Sequence, residues 1–177
     1  MKLGSKQLRV TKPQDGDLGE VVRNPVYVVL DNVMDTYNVG AVFRLADATA
    51  IKELILCGKT DYPPSTRIHK AAVGTEEWVP WRYESNTLEA LKKLKLGIPE
   101  LKIIAVEQDE RAVSLKQLEI QKGINTNPVA IIVGHETDGV AKEVLDYADV
   151  IVEIPMWGVN KSLNVVVSLA VALYKVL

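Results

Sequence analysis

Two short apolar segments near the end of the sequence each lead into a turn that is rich in glycine or proline. Residues 129–133 lead into a turn that begins at Gly134, and residues 150–154 lead into a turn that begins at Pro155. Apolar runs of this length, bounded by such residues, are typical of buried strands. In an open α/β sheet, ligands bind just beyond the carboxyl ends of the strands. The two turns therefore predict a small-molecule pocket.

Segments of the same kind recur along the chain, with helix-like segments between them. The pattern predicts six strands, at residues 26–30, 54–57, 78–83, 103–106, 129–133 and 150–154. Most are continuously apolar, which is typical of a mostly parallel sheet with helices on both faces. Pro80 interrupts the third strand and predicts an irregular strand or one near the edge of the sheet. The 177 residues show no linker, so we predict a single α/β domain over residues 1–177, with residues 1–24 as a short basic N-terminal arm.

Capping residues predict where several helices begin. Asn38 is expected to cap a helix over residues 39–50. Ser114 and Gln117 resemble a capping box and predict a helix near residues 115–118. The last helix begins near residue 163 and has little polar surface, so we expect it to be buried in an interface between two copies of the chain.

Charge and cysteine content restrict the function classes. The formal net charge is −2, whereas nucleic-acid binders are usually basic, but residues 1–12 carry four basic side chains and no acidic one. Cys57 is the only cysteine and no signal peptide is recognisable, so we expect a cytoplasmic protein without disulfides. No apolar run is long enough to cross a bilayer, so no membrane contact is expected. His69, His135 and Cys57 lack the spacing of zinc ligands, so we expect no metal.

Two further patterns are compatible with a functional site or with ordinary structure. Gly40 in the first turn of the predicted helix lets another backbone or a ligand come close, and Arg44 follows one turn later. Taken alone, this pattern favours a solvated helical arginine behind an ordinary cap. Gly134 and Gly139 predict a turn that needs positive φ or close contact with a ligand, whereas Glu136 between them also fits a plain strand-to-helix turn.

The motifs of several large enzyme classes are missing from the sequence. There is no Gly-x-Gly-x-x-Gly, no Gly-Lys-Ser of the phosphate-binding type and no Gly-x-Ser-x-Gly. Pro155, Met156 and Gly158 instead form an uncharged turn, which suits an adenine ring because such a ring needs apolar walls and a few backbone hydrogen bonds.

Three segments together, residues 38–46, 132–140 and 154–165, resemble in order and spacing the three motifs of the SpoU (TrmH-type) RNA 2′-O-ribose methyltransferases of the SPOUT superfamily. The similarity covers residues 26–177, and residues 67–81 look like the middle segment of that family. The resemblance implies a C-terminal deep trefoil knot, which composition and periodicity alone would not suggest. It also implies S-adenosylmethionine as cofactor and a homodimer with the sites at its interface.

The resemblance also implies roles for individual residues. The cofactor-binding residues would be Val106, Gly134, Ile154, Met156, Ser162 and Leu163. Catalysis would belong to Arg44, supported by Asn38, Glu136 and Asn164. Family accounts make the arginine a general base, but a guanidinium is effectively always protonated, so it also fits a cation that stabilises the developing alkoxide. The sequence leaves these two roles open.

The substrate implied by the resemblance is RNA, and we favour transfer RNA over ribosomal RNA. The expectation rests on the short segment before the first strand, which leaves no room for a separate N-terminal RNA-binding domain. The residues expected to contact RNA are Lys6, Arg9, Arg67, His69 and Lys70. Two alternatives stay open, namely a SPOUT methyltransferase that acts on a base nitrogen and a catalytically silent RNA- or nucleotide-binding module with the same fold.

Overall fold

The computed structural model of the protein describes residues 2–119 and 127–177. Within these residues the chain forms a seven-stranded sheet in which every pair of neighbouring strands is parallel. The strands are β1 (Asn24–Asp31), β2 (Ile51–Cys57), β3 (Trp81–Glu84), β4 (Lys102–Val106), β5 (Val113–Ser114), β6 (Val129–Gly134) and β7 (Val150–Glu153). Their order across the sheet is β3-β2-β1-β6-β4-β7-β5. The carboxyl ends of β6, β4 and β7 therefore lie side by side at the same end of the sheet.

Helices cover both faces of this sheet, as the sequence predicted. They are α1 (Ser5–Leu8), α2 (Asp17–Glu20), α3 (Thr36–Ala48), α4 (Thr66–Ala72), α5 (Thr87–Gly97), α6 (Lys142–Tyr147) and α7 (Val165–Val176). Helices α3, α4 and α7 bury their apolar side chains against one face, and α5 and α6 against the other. Successive residues of the central strands alternate between the two cores: Val28 belongs to the first and Val29 to the second. Burial on both faces explains why these strands are continuously apolar.

The predicted cap of α3 was wrong. The helix begins three residues earlier than expected, because the side chain of Asp35 accepts a hydrogen bond from the backbone N–H of Tyr37 at 2.8 Å. Aspartate and asparagine are both favoured at this position, so composition alone did not separate Asp35 from Asn38. Asn38 lies inside the first turn, and its side chain is consequently available for contacts with other segments.

Three short elements also differ from the predictions. The strand predicted over residues 78–83 begins only after Pro80, as β3, and lies at one edge of the sheet; a 3₁₀ turn, Thr75–Glu77, precedes it. The helix expected near residues 115–118 is a single 3₁₀ turn, Leu115–Gln117, although Ser114 does cap it. Strand β5 was not predicted, because two residues are too few to show an apolar pattern. It pairs with β7 at the opposite edge.

The N-terminal arm packs against the segment that follows α4. The indole N–H of Trp78 donates to the carbonyl of Thr11 at 3.2 Å, and Lys12 forms an ion pair with Glu77. Gly74 has a φ of +93°, and a Cβ at this position would lie 2.1 Å from the carbonyl oxygen of Leu8. Glycine is therefore needed both for the backbone conformation and for the close approach. The arm and α4 thus belong to one surface.

Candidate active site

Three loops at the carboxyl ends of β4, β6 and β7 surround a cavity of about 500 Å³. This lies within the range of pockets that hold small molecules and cofactors. Every residue that the sequence predicted as a cofactor contact lines it: Val106, Gly134, Ile154, Met156, Ser162 and Leu163. The predicted pocket at the ends of the strands is therefore present.

The loop after β6 is a tight hairpin that depends on its two glycines in different ways. The backbone N–H groups of His135 and Gly139 each donate to the other residue's carbonyl, at 3.0 and 2.9 Å. Gly139 has the positive φ that the sequence predicted, at +71°. Gly134 does not have a positive φ, but a Cβ there would lie 2.2 Å from the carbonyl carbon of Gly139. Gly134 is thus required for close backbone contact, and Gly139 for backbone conformation.

His135 has a local structural role in this hairpin. Its Nδ1 accepts hydrogen bonds from the backbone N–H groups of Thr137 and Asp138, both at 3.1 Å. These contacts require Nδ1 to be unprotonated and pointed into its own turn. Across residues 2–119 and 127–177, no group of three or more histidine, cysteine or acidic side chains is arranged to hold a metal ion.

Glu107 and Gln108 are among the cavity residues that the sequence did not predict. The carboxylate of Glu107 accepts from the backbone N–H of Val140 at 2.9 Å and from that of Gln108 at 2.8 Å. The side-chain amide of Gln108 in turn donates to the carbonyl of Lys161. The two residues therefore connect the end of β4 to both other loops. They directly follow a predicted strand, and the end of a parallel strand predicts a ligand contact here as it does at Gly134.

A hydrogen-bonded network joins three of the four predicted catalytic residues. The amide N–H of Asn38 donates to Glu136 at 2.9 Å, and the amide N–H of Asn164 donates to the side-chain oxygen of Asn38 at 3.1 Å. The side-chain oxygen of Asn164 also caps α7 by accepting from the backbone N–H of Val166 at 2.9 Å. The three sequence motifs, which are far apart along the chain, therefore meet at one point beside the cavity.

Glu136 is held ionised by this network. Partial burial acts to raise the pKa of its carboxyl, but several hydrogen bonds act the other way and lower the pKa below its usual value. The donors are the amide of Asn38 and the backbone N–H groups of Glu136 itself, Met34 and Asp35. Because its oxygens accept hydrogen bonds from these donors, Glu136 connects the loop after β6 to the start of α3.

Arg44 lies apart from the cavity within a single copy of the chain. It is exposed on α3 and is not among the residues that line the pocket. One turn earlier, a Cβ at Gly40 would lie 2.5 Å from the Cβ of Ala71 and 2.7 Å from the carbonyl oxygen of Ile68. Gly40 therefore allows α3 and α4 to cross closely, and the close approach of another backbone is one of the two roles that the sequence predicted for it. This crossing fixes the position of α3, which carries Arg44.

The residues predicted to contact RNA are all exposed, on two elements: Lys6 and Arg9 in the arm, and Arg67, His69 and Lys70 on α4. The contact between Gly74 and the arm brings these two elements together. The imidazole of His69 differs from the others in that its Nδ1 contacts the carboxylate of Glu76. The remaining side chains form a basic surface beside α3.

Replacing Glu136 with alanine is expected to lower the free energy of unfolding by about 1–2 kcal/mol at pH 7, because Met34, Asp35 and Asn38 lose their acceptor. Since the pKa of Glu136 is lowered in the folded state, its charge stabilises the fold above the usual glutamate pKa. This contribution is lost as the pH falls through the lower, folded-state value. The difference between wild type and Glu136→Ala should therefore shrink between pH 7 and pH 3, measured by urea denaturation.

The exposed Glu100 offers a matched control, because Glu100→Ala removes the same charge from a site away from the network. It should leave the unfolding free energy nearly unchanged at both pH values. Equal unfolding curves for Glu136→Ala and Glu100→Ala would contradict a bracing role for Glu136.

Together, the fold and the cavity define an α/β protein with a ligand pocket at the carboxyl ends of neighbouring parallel strands. A model of the SpoU rRNA Methylase family matches residues 25–174, and the chain belongs to this family. No helix in the two described stretches is long and apolar enough to span a bilayer.

Relatives and solved structures agree with this assignment. The 23S rRNA (guanosine-2′-O-)-methyltransferase RlmB of Vibrio parahaemolyticus is 29% identical over 91% of this chain and 63% of the relative. The tRNA (guanosine(18)-2′-O)-methyltransferase of Thermus thermophilus is 31% identical over 84% of this chain and 72% of the relative. The crystal structure of an AdoMet-bound rRNA methyltransferase from Sinorhizobium meliloti superposes with a TM-score of 0.78 and 25% identity, covering 96% of this chain and 59% of that chain. The chain thus spans about three fifths of the length of several of the proteins it matches.

Proposed function

We propose that this protein is an S-adenosylmethionine-dependent RNA 2′-O-ribose methyltransferase. The observation that carries the proposal is the network of Asn38, Glu136 and Asn164, which joins the three family motifs beside one cavity. The names of the relatives, which act on ribosomal or transfer RNA, support the same reaction and cofactor. We favour transfer RNA as the substrate, with ribosomal RNA as the second choice.

The cavity has the chemical character that the cofactor requires. Ile154, Met156 and Leu163 offer apolar contact for an adenine ring, and the surrounding loops offer backbone N–H and C=O groups. When bound, S-adenosylmethionine supplies an electrophilic methyl group on a sulfonium. The loops closed by Gly134–Gly139 and by the Gln108–Lys161 contact would hold this group in place and keep water away from it.

We assign Arg44 the role of a fixed cation in this reaction. As the methyl group bonds to the ribose 2′-oxygen, the hydroxyl proton is released to solvent water and negative charge develops on that oxygen, and a protonated guanidinium stabilises such a charge. The alternative role, a general base, would require a neutral guanidine, which is not accessible in a protein. Asn38 and Glu136 position the start of α3, and thereby Arg44, without touching the reacting atoms.

We further propose a homodimer that covers the exposed side of α7. Although Leu169 and Leu173 are buried in the chain's own core, Val167, Val171 and Tyr174 recur at helical spacing on the outer face and are about half exposed. Met34 and Tyr37, beside the start of α3, are also exposed apolar residues. The Asn164–Asn38 contact links the first turns of the two helices. A dimer through this face would place the rim of the cavity at the interface, where a second copy can complete the site. We also propose that the C-terminal part of the chain forms the deep trefoil knot that the family resemblance implies.

Charge introduced on this face should prevent dimerisation. Val171→Asp puts a carboxylate where the proposed interface requires an apolar contact, so light scattering should give the mass of two chains for the wild type and of one chain for the variant. Lys92→Asp, on the exposed side of α5, is the control and should leave the mass unchanged. A wild type of single-chain mass at micromolar concentration would remove the dimer from the proposal.

Reversing charge on the basic surface should weaken RNA binding without affecting the cofactor. The triple variant Lys6→Glu, Arg9→Glu and Lys70→Glu removes phosphate contacts and adds repulsion, so RNA affinity should fall by at least tenfold in filter binding. The wild-type affinity should also decrease steeply with salt, and the variant's salt dependence should be shallower. Calorimetric cofactor affinity serves as the control. Unchanged RNA affinity would mean that the RNA lies on another face.

The function itself is tested by incubating the protein with labelled cofactor and total RNA and then mapping the methylated nucleotide. We expect label on a ribose 2′-oxygen. Label on a base nitrogen would favour the alternative methyltransferase, and cofactor binding without turnover would favour the silent module. Calorimetry that detects no binding of S-adenosylmethionine or its demethylated product at millimolar concentration would overturn both methyltransferase interpretations.

A further inference from the structure

A second cavity, of about 510 Å³, lies between the loop before α4 and the start of β3. It shares no lining residue with the cavity at the ends of β4, β6 and β7. Its walls are Pro63, Pro64, Ser65, Thr66, His69, Glu76, Glu77 and Trp81. No part of the proposed methyl-transfer chemistry uses this cavity.

One wall of the cavity carries a buried carboxylate that is only partly satisfied. Glu76 is 6% exposed, and its Oε1 contacts Nδ1 of His69. Its Oε2 is buried and has no hydrogen-bond partner among the residues that the structure describes. A buried carboxylate oxygen without a donor is costly, and native proteins rarely retain one without a reason. Among the described residues, this oxygen is therefore an acceptor that remains available to a donor from outside the chain.

The other walls are flat and apolar. The ring of Trp81 is fixed by an edge-on contact with Phe43, at 6.2 Å between centroids, and by Tyr62 at 6.3 Å. Pro63 and Pro64 form a further apolar wall of the same cavity. A fixed indole beside rigid proline rings suits a planar aromatic ligand, and stacking on aromatic side chains is the usual way in which proteins hold unstacked bases.

The surroundings of the cavity indicate RNA as the source of such a ligand. Helix α4 contributes Thr66 and His69 to the lining of the cavity, and it also carries the exposed side chains of Arg67 and Lys70. Phe43, which supports Trp81, immediately precedes Arg44 in α3. A nucleotide in the cavity would therefore have basic side chains beside its phosphates.

We propose that this cavity binds an unstacked guanine base of the RNA. Guanine presents two adjacent donors, N1–H and N2–H₂, on its Watson–Crick edge, and a carboxylate accepts such a pair in a bidentate manner. Adenine and cytosine pair one donor with an acceptor nitrogen that the carboxylate repels, and the single donor of uracil lies between two acceptors. The inference rests on the proposed function, because it takes the ligand to be part of an RNA substrate.

His69 acts as the movable part of this site. Oε2 of Glu76 makes no contact with solvent in this structure, whereas the side chain of His69 is 46% exposed. The base reaches the carboxylate as the imidazole turns outward, and the freed imidazole then faces the phosphate backbone. His69 thus contacts RNA only after the base has replaced its imidazole as the hydrogen-bond donor to Glu76.

The test uses the intact protein with the cofactor cavity saturated by the demethylated cofactor, so that nucleotides cannot bind there. Guanosine 5′-monophosphate and the adenosine, cytidine and uridine monophosphates are titrated while the indole signal of Trp81 is followed by NMR. We expect guanosine monophosphate to bind at least tenfold more tightly than the other three and to shift the Trp81 signal. This ranking needs no variant, so it does not depend on the folding of one.

Variants then assign the preference to Glu76. Glu76→Gln keeps the shape but replaces one acceptor with a donor, so it should abolish the preference for guanine. Glu100→Gln is the control, since Glu100 is exposed and is not among the described residues that line this cavity. It should keep the preference. Equal affinities for all four nucleotides, or no shift of Trp81 at millimolar concentration, would overturn the inference.

The outcome is separable from that of the proposed function. If RNA is methylated on a ribose but guanosine monophosphate shows no preference, the guanine site is wrong and the methyltransferase stands. If guanosine monophosphate binds selectively but no methyl group is transferred, the guanine site stands and the methyltransferase is wrong.

Discussion

Arg44→Ala is expected to lower single-turnover methyl transfer on the mapped RNA by about a hundredfold to a thousandfold, the loss typical when a group that stabilises transition-state charge is removed. Cofactor affinity and unfolding temperature should hardly change, because Arg44 is exposed and does not line the cofactor cavity. This combination distinguishes a residue that acts in the transition state from one that supports the fold.

Arg44→Lys extends the test by keeping the charge while changing its geometry. Lysine is a point charge without the planar pair of donors that a guanidinium offers to a phosphate or an alkoxide. We expect this variant to remain strongly impaired. Near-normal rates for Arg44→Lys would mean that positive charge alone is sufficient.

The control is Lys92→Ala, which removes a cation from the exposed surface of α5 and should leave the rate of methyl transfer unchanged. If Arg44→Ala also kept a near-normal rate, Arg44 would be an ordinary solvated residue. The silent module and the base-methylating enzyme would then become the better interpretations.

The sequence predicted the sheet well because strands that are buried on both faces consist of continuous runs of apolar residues. Residues 129–133 must be apolar on each side, so the strand is visible without any alternation. Strand β5 left no such trace, since Val113 and Ser114 are paired only at the edge of the sheet. The start of α3 was misjudged because Asp35 and Asn38 are chemically similar caps, and only tertiary contacts decide which of them is used.

In the candidate site, too, local sequence patterns predict some features, whereas others depend on contacts between segments that are distant along the chain. Gly134 follows one strand-like run and Ile154 ends another, so the position of the pocket was accessible from the sequence. The contacts of Glu136 with Met34, Asp35 and Asn38 join segments about a hundred residues apart, and no local pattern reports them. The unpartnered oxygen of Glu76 was likewise invisible, because its burial depends on how the 3₁₀ turn after α4 packs.

The second large effect is expected at Gly134, at the end of β6. A Cβ there would lie 2.2 Å from the carbonyl carbon of Gly139, 2.3 Å from its oxygen and 2.3 Å from the backbone nitrogen of Val140. All three are backbone atoms of one hairpin, so no side chain can rotate away to relieve the contact. The hairpin must move instead, and its hydrogen bond from Val140 to Glu107 would be disturbed with it.

Gly134→Ala should therefore reduce cofactor affinity by at least a hundredfold in calorimetry, and Gly134→Val should abolish detectable binding. Overpacking of this kind typically costs about 1–3 kcal/mol, so the unfolding free energy should fall as well. Gly158→Ala is the matched control, because a Cβ at Gly158 meets no atom of residues 2–119 or 127–177 within 4 Å, and Gly158 is not among the described residues that line the cavity. It should bind the cofactor like the wild type. If Gly134→Ala behaved like Gly158→Ala, the hairpin would tolerate displacement, and the close packing of Gly134 against Gly139 would not be what shapes the pocket.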